Sequence, residues 1–175
     1  MKFDPTPLAG AYVVELARME DERGFFARSF CREEFVAMGL SPVVAQCNVS
    51  WNSRKGTLRG MHFQAKPHEE AKLVRCTRGA IWDVIVDLRE DSATRYASHG
   101  VRLDAQSRLA LYVPEGFAHG FQTLEDDCEV LYQMSEAYQP GLGRGVRWDD
   151  PKLDIAWPLP NPILSDRDRA YALLS

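Results

Sequence analysis

Short β-rich runs recur along this chain, and a turn signal separates nearly every neighbouring pair. The runs lie at 11–16 (AYVVEL), 24–30, 43–50, 58–63, 71–76, 80–88, 99–103, 109–113, 120–123 and 129–136. The breaks read RKG, AKPHEE, TRGA, EDSATR, DAQSR, PEGF and LEDD, all rich in residues that favour turns. The clearest run is IWDVIVDL, where Ile81, Val84 and Val86 stand beside Asp83 and Asp87. Residues 32–38 (REEFVAM) read as a single short helix, with Phe35, Val36 and Met38 facing inward and Gly39 as the stop. Many short strands at such spacing predict an antiparallel sandwich or barrel, with a jelly roll a good candidate. The Pro-rich end (WPLPNPILSDRDRAY) reads as an ordered extension packing on the barrel over about 150–175.

A chain of 175 residues suits one domain, here 1–175, with a core large enough to fold alone. The net charge of −4 argues against a general nucleic-acid binder, although a local basic cluster can still hold a small anion. No apolar run approaches the length that spans a bilayer. The opening MKFDPTPLAG places Asp and Pro where a signal peptide needs an apolar run. Cys31, Cys47, Cys76 and Cys128 form no CxxC pair and no zinc-ligand spacing. The expectation is a cytoplasmic protein with reduced cysteines that mostly fill the core.

The stretch GTLRGMHFQAKPHEEAKLVR concentrates titratable chemistry between two predicted strands. His62 follows Gly60 at the end of one run, and His119 follows PEGFA at the turn into another. Across a β-sandwich two such positions can converge on one cavity. Taken singly, each reads more often as a hydrogen-bonded structural histidine. As a pair amid glycines, where backbone approaches a ligand closely, they read as a site. Gln46, Asn48 and Ser50 alternate along a strand and so share one face, which lines either a pocket or an exposed edge.

GMHFQAKPHEEAKLVRCTRG resembles the first motif of the cupin superfamily, and PEGFAHGFQ the second. Gln64 stands where metal-binding cupins carry a second His, which leaves His62, Glu69 or Glu70, and His119 as a weaker metal set. A closer likeness covers nearly the whole chain. QCNVSWNSRKGTLRGMHFQ, preceded by DERGFF and followed by KLVRCTRGAIWDVIVDLR, YVPEGFAHGFQ, GVRWDDP and ILSDRD, resembles the dTDP-4-dehydrorhamnose 3,5-epimerase family. That resemblance implies a mainly β, cupin-like double-stranded β-helix or jelly roll with a few short helices. It implies an isomerase that inverts C3 and/or C5 of a nucleoside-diphosphate-linked 4-keto-6-deoxy-hexose, with no metal or redox cofactor. It also implies a homodimer, in which the N-terminal strands exchange to carry Arg23 and Phe26 into the neighbour's pocket.

By the same resemblance the base is His62, with Asp168 as its partner, Lys72 stabilises the enolate oxygen and Tyr132 returns the proton. These residue types suit that chemistry, because protons beside a ketone are acidified and histidine titrates near neutrality. Asp83, His119 and Tyr138 are implied as pocket residues, together with Gln46, Asn48 and Ser50. Arg23, Arg59 and Arg167 match guanidinium forks for a diphosphate, and Phe26 a stacking platform for the base. Arg28 replaces a Glu common near the nucleobase, which leaves thymidine, cytidine and guanosine open. Gln133, Gly141 and Gly143 also depart from the pattern, so the number of centres inverted stays open. The alternatives are a metal-dependent cupin isomerase or dioxygenase, and a cupin that only binds a nucleotide sugar.

Overall fold

The computed structural model describes residues 1–174. Among them, thirteen strands and two short helices run in the order β1 (Lys2–Pro5), β2 (Tyr12–Glu15), β3 (Arg18–Asp21), β4 (Gly24–Ala27), α1 (Arg32–Ala37), β5 (Gln46–Asn52), β6 (Leu58–Gln64), β7 (Lys72–Arg78), β8 (Ala80–Asp87), β9 (Ser98–Asp104), β10 (Ala110–Val113), β11 (Phe117–Thr123), β12 (Cys128–Met134), β13 (Gly143–Gly145) and α2 (Asp166–Arg169). Two antiparallel sheets face each other, ordered β1-β2-β10-β7-β12-β5 and β13-β6-β11-β8-β9, and β3 with β4 forms a separate hairpin. This is the jelly-roll arrangement that the spacing of runs predicts. Strands β1, β3 and β13 had no sequence signal: each is three or four residues long, too short to display an alternation.

The core between the sheets is built from alternate residues, among them Val74 and Cys76 of β7, Ile81 and Ile85 of β8, Phe117 and Phe121 of β11, and Val130 of β12. Two of the four cysteines, Cys76 and Cys128, are core filler as expected, and burial pushes the Cys76 thiol up to about 12. Cys47 is exposed and Cys31 half-buried, so the expectation holds for only half of them.

Helix α1 covers the outer face of the larger sheet through one side chain. Phe35 is 1% exposed and meets Phe3, Phe30 and Tyr112 at ring separations of 5.5, 4.8 and 5.8 Å. Val36 and Met38, expected inward, are 57% and 39% exposed, because a two-turn helix lying on a sheet buries a single narrow stripe. The outer face of the smaller sheet is covered by the C-terminal segment. There Val146 and Leu153 pack on Met61, Val84 and Ala118. Ile163 bridges Thr57 at the start of β6, and the Gln122 side chain exchanges two hydrogen bonds with the Leu159 backbone. No helix among the described residues is long and apolar enough to cross a membrane.

Truncating Phe35 removes an aromatic ring from a filled site. Phe35→Ala is expected to lower stability by about 3–5 kcal/mol, and Val36→Ala by less than about 0.5 kcal/mol. Urea denaturation of the two variants checks this.

Candidate active site

At one end of the space between the sheets the inward positions turn polar. Along β7 they read Lys72, Val74, Cys76, and along β12 Met134, Tyr132, Val130, so the chemistry gathers where Lys72 and Tyr132 lie. The resulting cavity has a volume of about 550 Å³. Lys72 and Tyr132 stand on the wall made by the larger sheet, and His62 and His119 on the wall made by the smaller one.

A break in strand register shapes the second wall. His119 pairs with His62, but Phe121 pairs with Arg59, so β6 carries one extra residue across this step. In a regular strand Arg59 and His62 would point to opposite faces. The bulge lets both line the cavity. Glycine is required here: a Cβ on Gly60, whose φ is 151°, would lie 2.7 Å from the Gly120 Cα.

Each histidine has a buried carboxylate behind it. His62 Nε2 lies 2.6 Å from Asp168 Oδ1, although the two residues are 106 apart in the chain. An ionised carboxylate only accepts, so Nε2 carries the hydrogen, and in the neutral ring the lone pair is on Nδ1. Asp168 sits on the single turn α2, whose N-cap Ser165 accepts from the Asp168 N–H. Burial by itself would push the Asp168 carboxyl up. The hydrogen bond and charge of His62, the Gly60 N–H and Ser165 outweigh it, and the carboxyl is held below its ordinary range. His119 Nε2 lies 2.8 Å from Asp83 Oδ1, and both residues are buried. Asp83 Oδ2 has no hydrogen-bond partner among the described residues.

Tyr132 packs edge-on against the His119 ring at 6.0 Å. Burial, and then the negative charge of Asp83, push its hydroxyl up against the opposing effects of Arg59 and Ser50. Its phenol is therefore held protonated. Lys72 is 5% exposed, forms an ion pair with Glu70 Oε1 at 3.0 Å and donates to the His62 carbonyl at 3.3 Å.

Gln46, Asn48, Ser50, Arg59, Tyr138 and Arg167 also line this cavity, so β5 turns its polar face to a pocket rather than to solvent. Part of that face is already engaged: Gln46 Oε1 accepts from the Tyr138 N–H at 2.9 Å. Asp83 and Asp168 stand behind the wall. Arg23, Phe26 and Arg28 do not reach the cavity of their own chain. They belong to the β3–β4 hairpin and the segment after it, where Arg23 pairs with Asp21 and Arg28 with Glu34, and Phe26 is 71% exposed.

Sequence reasoning singled out Gln64 only as a departure from the metal-binding pattern, and missed Arg144 and Tyr171. Gln64 ties together the loops on either side of the cavity, donating to the His68 and Ala137 carbonyls and accepting from the Gln139 N–H. Arg144 lines the cavity, and Tyr171 packs edge-on to His62 with its hydroxyl accepting from Arg167. Arg144 and Tyr171 stand in no motif of the sequence, and only the fold brings them to the cavity and to His62. A larger cavity of about 660 Å³, lined by Glu69, Arg89 and Asp91 among others, has no His or Tyr among the described residues of its wall. Of the metal-ligand alternatives, Glu70 pairs with Lys72 and Glu69 lines that second cavity. Among the described residues no three His, Cys, Asp or Glu side chains gather as a metal-binding group.

The family model for dTDP-4-dehydrorhamnose 3,5-epimerase matches residues 5–175. The chain belongs to this family. It is 42% identical over 169 residues to the dTDP-4-dehydrorhamnose 3,5-epimerase of Shigella flexneri, covering 96% of this chain and 93% of that one. It is 39% identical to a dTDP-4-dehydrorhamnose 3-epimerase of Streptomyces niveus, covering 100% and 84%. A crystal structure of the Bacillus anthracis dTDP-4-dehydrorhamnose 3,5-epimerase superposes with a TM-score of 0.95, at 42% identity and 99% coverage of both chains. The fold is therefore the cupin-like jelly roll of these epimerases.

Asp168 supplies the pH test of this geometry. Its carboxyl lies below the ordinary value of 3.8, so its stabilising contribution is complete above that value and is lost as pH falls through the lower folded one. Asp168→Asn is expected to lower the denaturation midpoint at pH 7, with the gap to the parent closing below about pH 3.8. Denaturant titrations at stepped pH check this.

Proposed function

We propose that this epimerase inverts C3 and/or C5 of a dTDP-linked 4-keto-6-deoxy-hexose through an enolate, and does so in the cytoplasm. The observation that carries the reading is the placement of a carboxylate-backed histidine and a half-buried, protonated tyrosine on opposite walls of one cavity, with a buried lysine on the tyrosine's wall. His62 Nδ1 takes the proton from the carbon beside the ketone. The C–H electron pair moves into the ring as the C4 oxygen gains negative charge. The Lys72 ammonium stabilises that oxygen, as preorganised donors do at developing oxyanions. Tyr132 then delivers a proton from the opposite face, which inverts the centre. A phenol is a weak acid, yet it is strong enough toward a carbanion. Arg59, Arg144 and Arg167 suit the diphosphate by charge and geometry. The TDP and pyrophosphate bound to the Bacillus anthracis relative support a thymidine nucleotide.

The second part of the proposal is a homodimer in which the hairpin of one chain completes the other chain's site. Within one chain the β3–β4 hairpin leaves Met19 61% and Phe26 71% exposed, and a two-stranded ribbon is marginal on its own in water. The edge strand β5 likewise exposes Val49 and Trp51 at 62% and 56%. A second copy seated on these surfaces brings Arg23, Phe26 and Arg28 toward the nucleotide.

In D2O the parent enzyme is expected to introduce one deuterium for each centre it inverts, and NMR of the product assigns C3, C5 or both. His62→Ala should slow exchange roughly 10²- to 10⁴-fold. Tyr132→Phe should retain exchange while losing inversion, because proton return from the His62 face restores the original configuration. Absence of enzyme-dependent exchange in the parent overturns the reading. For the dimer, mixing inactive His62→Ala with inactive Arg23→Ala should regain activity once subunits exchange; a fully active monomer by sedimentation contradicts it.

A further inference from the structure

Lys72 stands beside one carboxylate that neither the sequence motifs nor the reaction above employs. Glu70 lies two residues earlier on the same side of the chain, with side-chain exposure of 11% against 6% for Lys72. Among the described residues it is the only carboxylate lining the cavity. The other charged and titratable groups facing this space are His62 of β6, His119 of β11, Tyr132 of β12, Tyr138, and the guanidiniums of Arg59, Arg144 and Arg167. The Glu70 carboxylate is thus the one negative group in a wall that also carries three guanidiniums.

An ammonium has three N–H donors and no acceptor. The Lys72 ammonium donates to the His62 carbonyl at 3.3 Å and pairs with the Glu70 carboxylate, Oε1 lying 3.0 Å away. That leaves it N–H capacity for the cavity. We propose that Glu70 is a positioning residue, whose carboxylate holds the Lys72 ammonium and aims its remaining N–H at the C4 oxygen of the substrate. The inference rests on the epimerase reading and adds to it the group that keeps the oxyanion donor charged and directed. Neighbouring Glu69 provides the internal control, since it faces the larger second cavity.

The experiment compares the full-length parent, Glu70→Gln, Glu70→Asp and Glu69→Gln, with a dTDP-4-keto-6-deoxy-hexose as substrate in D2O. Glu70→Gln keeps the shape and loses the charge. Its kcat is expected to fall roughly ten-fold or more, short of the 10²–10³ that loss of an oxyanion donor costs outright. KM should change little. The alkaline limb of its pH–rate profile should move to lower pH, because an unpaired buried ammonium loses its proton more readily. Glu70→Asp should recover part of kcat and return the alkaline limb toward the parent's, and Glu69→Gln should match the parent throughout. A parent-like kcat and alkaline limb in Glu70→Gln overturns the proposal. So does a parallel loss of kcat and KM with a lowered denaturation midpoint and an unmoved limb, which marks a structural role alone. If Glu70→Gln does not fold, Glu70→Asp decides: a kcat below the parent's at an unchanged KM supports the proposal, and a parent-like kcat overturns it. A parent that exchanges no deuterium overturns the epimerase reading, and this inference with it.

Discussion

A cavity lined with titratable side chains between two apolar sheets imposes one requirement on everything around it: each buried charge needs a partner supplied from somewhere in the fold. Asp168 answers to His62, Asp83 to His119, and Glu70 to Lys72. The first two pairings set the tautomers of the neutral rings, while burial, and then the charge of Asp83, keep the Tyr132 phenol protonated. They also dictate where distant segments must lie. The C-terminal turn can present Asp168 only because Ile163 is stitched to Thr57 and Leu159 to Gln122, which brings α2 beside β6.

The second organising feature is the extra residue in β6. Without the step between them, His62, the proposed base, and Arg59, the proposed phosphate ligand, would face opposite sides of the sheet. The glycines at 60 and 120 make that step possible by letting two backbones approach where no side chain fits. The loops beyond it are tied by Gln64, whose amide satisfies three backbone groups from two segments.

Much of the barrel was legible in the sequence. The runs around β6, β7, β8, β11 and β12 are long enough to alternate, so their inward faces follow from period two alone. The polar face of β5 was equally visible, although its direction, pocket or solvent, was not. Strands β1, β3 and β13 were invisible, being too short for a pattern. Helix α1 was placed well but its buried face was drawn too wide, since only Phe35 meets the sheet.

Fold class and family could both be read from the chain, because they rest on residue types and on motifs taken in order, and the proposed acid–base set follows from the same motifs. Which side chains meet was settled in three dimensions. Folding set His62 against Asp168 across 106 residues, turned Glu70 to Lys72 and Glu69 away from it, and kept Arg23, Phe26 and Arg28 out of their own chain's cavity. The reason is physical: alternation along a strand fixes a side chain's face. Its partner depends on sheet register, on a bulge and on the docking of a remote segment, none of which is a local property of sequence.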